Sequence, residues 1–190
     1  MDLDRTLAVL TGLAWTIGVA AIGTQADTDP VGTHYDVANR FLTIALVLLL
    51  LFALRVRPHL NPLGGGALVG TAVAWLVGNV LEFWAVLGTD LHTEKTALRL
   101  GEAETWWGSA VGWMIFMVGF LTMVIAAISV AADQRSAVAW GTVPLAIVGT
   151  LATALWAVSP LAAAASGLCL GFWLIWVSTL RVTERRAAMT

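Results

Sequence analysis

One carboxylate and one side-chain amide interrupt a long apolar stretch of this sequence. The stretch runs from residue 63 to residue 88, and Asn79 and Glu82 are its only amide and its only carboxylate. Thr71, Trp75, Asn79 and Glu82 follow one another at steps of four, four and three residues, which places them on one face of a helix. An acid inside a membrane is costly and is therefore a candidate functional group by default.

Three interpretations of Glu82 are open at this stage. Apart from Arg55, near the end of the second segment, the apolar segments contain no Lys or Arg, and the nearest candidates to neutralise Glu82 are Arg40 and Arg99. Without a cation, we expect Glu82 to be neutral and to donate a hydrogen bond, with Asn79, Ser109 or an indole nearby. Glu82 and Asn79 could form a structural clasp between helices, or Glu82 could bind a proton or cation in a small transporter or channel. In the third interpretation Glu82 pairs with Arg40 or Arg99 and fixes a loop.

Ten tryptophans provide the second feature with possible chemistry. Five of them lie deep in apolar segments: Trp15, Trp75, Trp113, Trp156 and Trp173. A buried indole N–H needs an acceptor, so packing with a bond to a hydroxyl or carbonyl is the simplest interpretation. The alternative is an aromatic-lined cavity for an apolar or cationic ligand. The candidate ligand- or proton-binding residues are therefore Glu82, Asn79, Trp75 and Trp113.

Motifs for other chemistry are scarce. The chain has one cysteine, Cys169, and its three histidines all fall in polar segments, which argues against a haem held within the membrane. The sequence contains no GxSxG, HExxH or Walker motif, so we assign no catalytic residue and expect no cofactor, and a membrane enzyme is the third hypothesis. An outer metal site would require two loops to meet; its residues would be His34, Asp36, Asp90 and His92.

The elements that position these residues follow from composition. The chain has 190 residues, 59% of them hydrophobic and 12% charged, with a mean hydropathy of +0.85. Soluble domains carry about 25% charged residues, so the composition indicates a membrane protein. Six apolar segments are each long enough to cross a bilayer as a helix. We predict a single all-α transmembrane domain over residues 1–190, a polytopic bundle of six helices at 6–23, 41–56, 64–88, 106–131, 137–158 and 161–180.

The distribution of Lys and Arg predicts the orientation. With six spans, seven of the ten Lys and Arg residues fall on the side that carries both termini, and three fall on the other side. The positive-inside rule therefore places both termini in the cytoplasm. The abundance of Arg, Ala, Gly and Val suggests a prokaryotic protein of the inner or plasma membrane.

Small residues predict which spans pack closely, because backbones can approach there. They recur in the third span (Gly66, Gly70, Ala74, Gly78), in the fourth (Gly108, Gly112, Gly119) and in the sixth (Ala163, Gly167, Gly171). The second span contains mostly large apolar residues and has no glycine. We therefore expect the third, fourth and sixth spans to form the core, with the second largely against lipid.

These observations lead to one leading function and one alternative. The leading hypothesis is a small integral membrane protein that binds or transports a small solute or ion through Glu82, turned into the bundle. The alternative is a non-catalytic structural subunit or assembly factor of a larger membrane complex. The expected partners are membrane lipids, with other membrane subunits or a homo-oligomer as further candidates, and no nucleic acid.

Overall fold

Six α-helices make up nearly all of the described chain. The computed structural model describes residues 3–23, 33–87, 103–154 and 160–187, and gives side-chain surroundings for 3–21, 37–81, 111–112, 114–152 and 165–179. The helices are α1 (Leu3–Gly23), α2 (Thr33–Val56), α3 (Pro62–Leu87), α4 (Ala103–Gln134), α5 (Ala137–Ala154) and α6 (Pro160–Ala187). A single 3-10 turn, Arg57–His59, joins α2 to α3, and no described residue lies in a strand. The predicted all-α bundle is confirmed.

Four of these helices are long and apolar enough to cross a membrane. The qualifying stretches are Leu3–Ala21, Val37–His59, Pro62–Leu81 and Met114–Gln134. The last two helices contain shorter apolar stretches, Ala137–Ala152 and Ala165–Thr179. The chain is therefore a membrane protein, while the count of six spans and the cytoplasmic termini stay predictions.

The helices close into a ring. Each helix packs against the next one along the chain, and α1 packs against α6. All six helices contribute side chains to the main core, α5 through Ala146, and a smaller cluster joins α4 to α5. Within the main core, the side chains of Trp15, Trp75 and Trp173 are fully or almost fully buried.

The expected position of α2 was wrong. Its side chains Leu46, Leu49 and Phe52 are fully buried, because α2 is packed between α1 and α3. Val47, Leu51 and Leu54, on its other face, are exposed. A helix of large apolar residues can thus pack one face in the core and expose the other to lipid. Its sequence does not show which face is which, because both faces are equally apolar.

The expected neighbours of α6 were also wrong. Among the described residues, α6 packs on α1 and α5 and makes at most marginal contact with α3 and α4. The glycines of α6 do mark a close approach, but the partner is α1. A Cβ added at Gly12 would lie 2.8 Å from the Cα of Gly171, and one added at Gly167 would collide with Thr16.

The junction between α2 and α3 fixes one end of the bundle. Asn61 precedes Pro62, the first residue of α3, and its Oδ1 accepts a 2.7 Å bond from the backbone N–H of Gly64. The same side chain donates to the carbonyl of Ser129 on α4 over 2.9 Å, and Ser129 Oγ returns a 2.8 Å bond to Asn61 Oδ1. One asparagine therefore caps α3 and docks it on α4.

Candidate functional site

Three of the four aligned polar or aromatic residues of α3 lie on one buried face. The exposed fractions are 0% for Thr71, 1% for Trp75 and 4% for Asn79. The face that these three residues share is therefore turned into the bundle. Glu82 belongs to the same helix, three residues after Asn79, or about 4.5 Å along the axis. Its side chain, like that of Trp113, lies outside the described surroundings.

Trp75 is packed by rings from two other helices. Its ring lies 5.1 Å from that of Trp15 on α1, between centroids, and 5.7 and 5.5 Å from Phe116 and Phe120 on α4. The indole rests on Gly119, where a Cβ would collide with it. Its Nε1–H donates to the carbonyl of Phe116 over 3.1 Å. The interpretation of a packed indole with a carbonyl acceptor is thus confirmed for Trp75.

A short hydrogen-bond chain ties α3 to α2 at the level of Asn79. The Nδ2 of Asn79 donates to Thr43 Oγ1 over 3.0 Å, and Thr43 Oγ1 donates to the carbonyl of Asn39 over 2.7 Å. Asn39 and Asn79 are both buried, each 4% exposed. This chain lies about one helical turn from the position of Glu82. It joins α3 to α2 through Asn79. The clasp predicted from the sequence also includes Glu82, and it stays a prediction.

Thr71 makes the corresponding contact with α4. Its hydroxyl lies 2.9 Å from that of Thr122, and each hydroxyl also reaches a backbone carbonyl of its own helix. The buried face of α3 therefore bonds to α4 at the level of Thr71 and to α2 at the level of Asn79. Hydroxyl and amide groups in these positions hold helices together with bonds worth about 0.6 kcal/mol each on average in a membrane.

The other deep tryptophans behave differently from each other. Trp15 Nε1 on α1 donates to Ser166 Oγ on α6 over 2.9 Å, which again fits the expectation of a hydroxyl acceptor. Trp173 is 0% exposed, and its Nε1 finds no hydrogen-bond partner in the described part of the chain. Trp140, in the first turn of α5, is 48% exposed. The side chain of Trp156 lies outside the described surroundings.

An ion pair that sequence reasoning missed joins the start of α1 to the end of α2. Arg55 Nε donates to Asp4 Oδ1 over 2.6 Å, and the Asp4 side chain is fully buried while that of Arg55 is 40% exposed. The available signal was the position of Asp4 in the first turn of an apolar helix, where an acid also complements the helix dipole. The signal could not indicate Arg55 as the partner, because the pairing depends on how α1 and α2 pack.

The remaining predictions fall outside the described side chains. The proposed metal ligands His34, Asp36, Asp90 and His92 are all in that group, as are Arg99 and Ser109. The described residues contain no cluster of three or more His, Cys, Asp or Glu side chains suited to a metal ion. No family model matches the chain, and neither a curated protein nor a solved structure matches it significantly.

Proposed function

We propose that this chain is an integral membrane protein that binds a proton or a small cation at Glu82, with Asn79 at the inner limit of the site. The observation that supports the proposal is the chain from Asn79 through Thr43 to the backbone of Asn39. It keeps hydrogen-bonding groups inside the bundle within about one turn of a carboxylate. Polar groups in such a place are costly to bury unless they are bonded or used.

The packing on the N-terminal side of Asn79 favours a binding site over a channel for solutes between α1, α3 and α4. Trp75 lies one turn further into the helix and contacts Trp15, Phe116 and Phe120. A solute crossing between these helices would have to displace the indole and break its bond to Phe116. We therefore expect the ligand to enter and leave from the Glu82 end of α3.

A titration of the purified protein in liposomes tests this function. We expect a saturable change of tryptophan fluorescence with protons, or with Na⁺ or K⁺ at fixed pH, because Trp75 lies on the same helix as Glu82. Glu82→Gln should remove the change while circular dichroism and thermal unfolding stay as in the wild type. Asp133→Asn is the matched control, because Asp133 is an exposed carboxylate at the end of α4. A Glu82→Gln protein that titrates like the wild type contradicts the proposal.

A second function, a non-catalytic subunit or assembly factor, is favoured by a different observation. The side-chain donors of Thr71, Trp75 and Asn79 are all bonded within the bundle, so these residues need no ligand to satisfy them. In this case a partner chain should copurify in fixed stoichiometry from native membranes in a mild detergent. That complex should survive Glu82→Gln, whereas the cation titration should be absent from the wild type.

A further inference from the structure

Two turns that lie apart in the sequence meet at one end of the bundle. The 3-10 turn Arg57–His59 leads into α3, and Arg135 lies in the turn between α4 and α5. The hydrogen bonds between Asn61 and Ser129 hold the start of α3 beside the last part of α4. Arg135 lies six residues beyond Ser129, or about 9 Å further along the helix. The two turns therefore lie at the same end of the bundle.

This end of the bundle carries unpaired positive charge. Arg57 and Arg135 are both exposed, and neither forms an ion pair with any residue in the described ranges. The stem of Arg57 lies along the first turn of α3, with its Cγ 3.1 Å from the position that a Cβ of Gly65 would take. The described acids at this end are Asp4, which is bonded to Arg55, and the exposed Asp133. Among the side chains whose surroundings are described, four arginines and two aspartates lie at this end; the arginines are Arg5, Arg55, Arg57 and Arg135.

Exposed large apolar side chains follow each of the two turns within six residues of its arginine. Leu63 in the first turn of α3 is 64% exposed, and Val138 and Trp140 in the first turn of α5 are 69% and 48% exposed. Such side chains are costly in water but favourable against acyl chains. An indole beside arginines is also the combination typical of the headgroup level of a membrane.

We infer that this surface, formed by Arg57, Leu63, Arg135, Val138 and Trp140, binds an anionic phospholipid. The two guanidinium groups contact the phosphate of the headgroup, because Arg presents several N–H donors to phosphate oxygens. Trp140 lies at the level of the ester groups, and an acyl chain covers Leu63 and Val138. A soluble anion would use the arginines but not the apolar residues, and a neutral lipid would use only the apolar residues. The inference requires the membrane assignment and is independent of Glu82.

The test is the thermal stability of the purified protein in detergent, measured with three probes. These are dioleoyl-phosphatidylglycerol, dioleoyl-phosphatidylcholine and inorganic phosphate. We expect saturable stabilisation by the phosphatidylglycerol alone, and native mass spectrometry should show a bound lipid of the same class. Arg57→Gln combined with Arg135→Gln should weaken the apparent affinity roughly thirtyfold, the loss expected for two arginines near a lipid surface.

The matched control is Arg5→Gln, which removes an exposed arginine at the same end but on α1. It should leave the phosphatidylglycerol effect within about twofold of the wild type, since general surface charge is a weak, screened contribution. Trp140→Ser provides a second variant, expected to weaken lipid binding without changing the response to phosphate. Equal loss in Arg5→Gln, full retention in the double variant, or the same stabilisation by phosphate alone would each overturn the inference.

Discussion

Two seams of the bundle, one between α1 and α6 and one between α3 and α4, combine glycines with a buried tryptophan. They differ in whether the glycines lie against backbone or against an indole ring. Between α1 and α6, Gly12 lies against the backbone of Gly171, so the two main chains approach directly. Between α3 and α4, Gly78 lies against the carbonyl of Gly112 at one level. At another level Gly119 forms the recess that receives the ring of Trp75.

The difference shows two ways in which a missing Cβ stabilises helix packing in lipid. Helices in a membrane associate through close van der Waals contact and hydrogen bonds, without a hydrophobic drive. A glycine opposite a glycine shortens the distance between axes, whereas a glycine opposite an indole makes room for a large side chain. The first seam should therefore be sensitive to added atoms, whereas the second should also be sensitive to the removal of atoms at the level of Trp75.

The largest effect is expected from emptying the recess of the α3–α4 seam. Trp75→Ala removes the ring that contacts Trp15, Phe116 and Phe120 and should cost about 3–5 kcal/mol of unfolding free energy. The measurement is unfolding by sodium dodecyl sulfate in mixed micelles, followed by circular dichroism. Trp140→Ala is the control and should cost far less, because Trp140 is half exposed. A comparable cost for both would mean that the recess is not a main source of stability.

A smaller effect is expected from adding one carbon to the α1–α6 seam. Gly12→Ala places a Cβ 2.8 Å from the Cα of Gly171, and backbone cannot move aside as a flexible side chain can. Overpacking of this kind costs about 1–3 kcal/mol. Gly66→Ala is the matched control, since no atom lies within 4 Å of its Cβ position and alanine is the better helix former. The same unfolding assay should show no loss for the control. A neutral Gly12→Ala would show that the two helices can separate without penalty.

The smallest effect concerns the hydrogen bonds that cross the two seams. Ser166→Ala leaves the buried Nε1–H of Trp15 without its acceptor and should cost about 1–2 kcal/mol. Thr71→Val should cost about 0.6 kcal/mol or less, because Thr122 keeps its backbone acceptors. Both values come from the same unfolding curves. If Thr71→Val proves the more damaging change, the contact between Thr71 and Thr122 stabilises the bundle more than the bond from Trp15 to Ser166 does.

Much of the buried face of α3 was predictable. Thr71, Trp75 and Asn79 recur at helical spacing, and polar side chains in an apolar helix avoid lipid, so their common inward orientation followed from the sequence. The glycine steps correctly marked Gly78, Gly112, Gly167 and Gly171 as positions of close approach. The same step pattern also included Gly66, which is exposed with open space around its Cβ position. A small residue permits contact but does not require it.

The partners across each contact were not predictable in the same way. Asn79 bonds to Thr43, and Asp4 bonds to Arg55, across separations of 36 and 51 residues. Nothing in the local pattern of α3 indicates that α2 supplies the hydroxyl. The expectation that α6 packs directly on α3 and α4 failed for the same reason, since its glycines fit any helix that presents a small-residue face.

By itself, the sequence determined that the chain forms apolar helices and which face of α3 turns inward, because hydropathy and helical spacing act over a few turns of one segment. Only the tertiary structure decided that α6 closes on α1, that α2 lies partly in the core, and that Trp75 fills the recess at Gly119. These outcomes depend on steric fit between whole helices. In a membrane the lipid chains are as apolar as the side chains, so apolarity alone cannot select one neighbour over another.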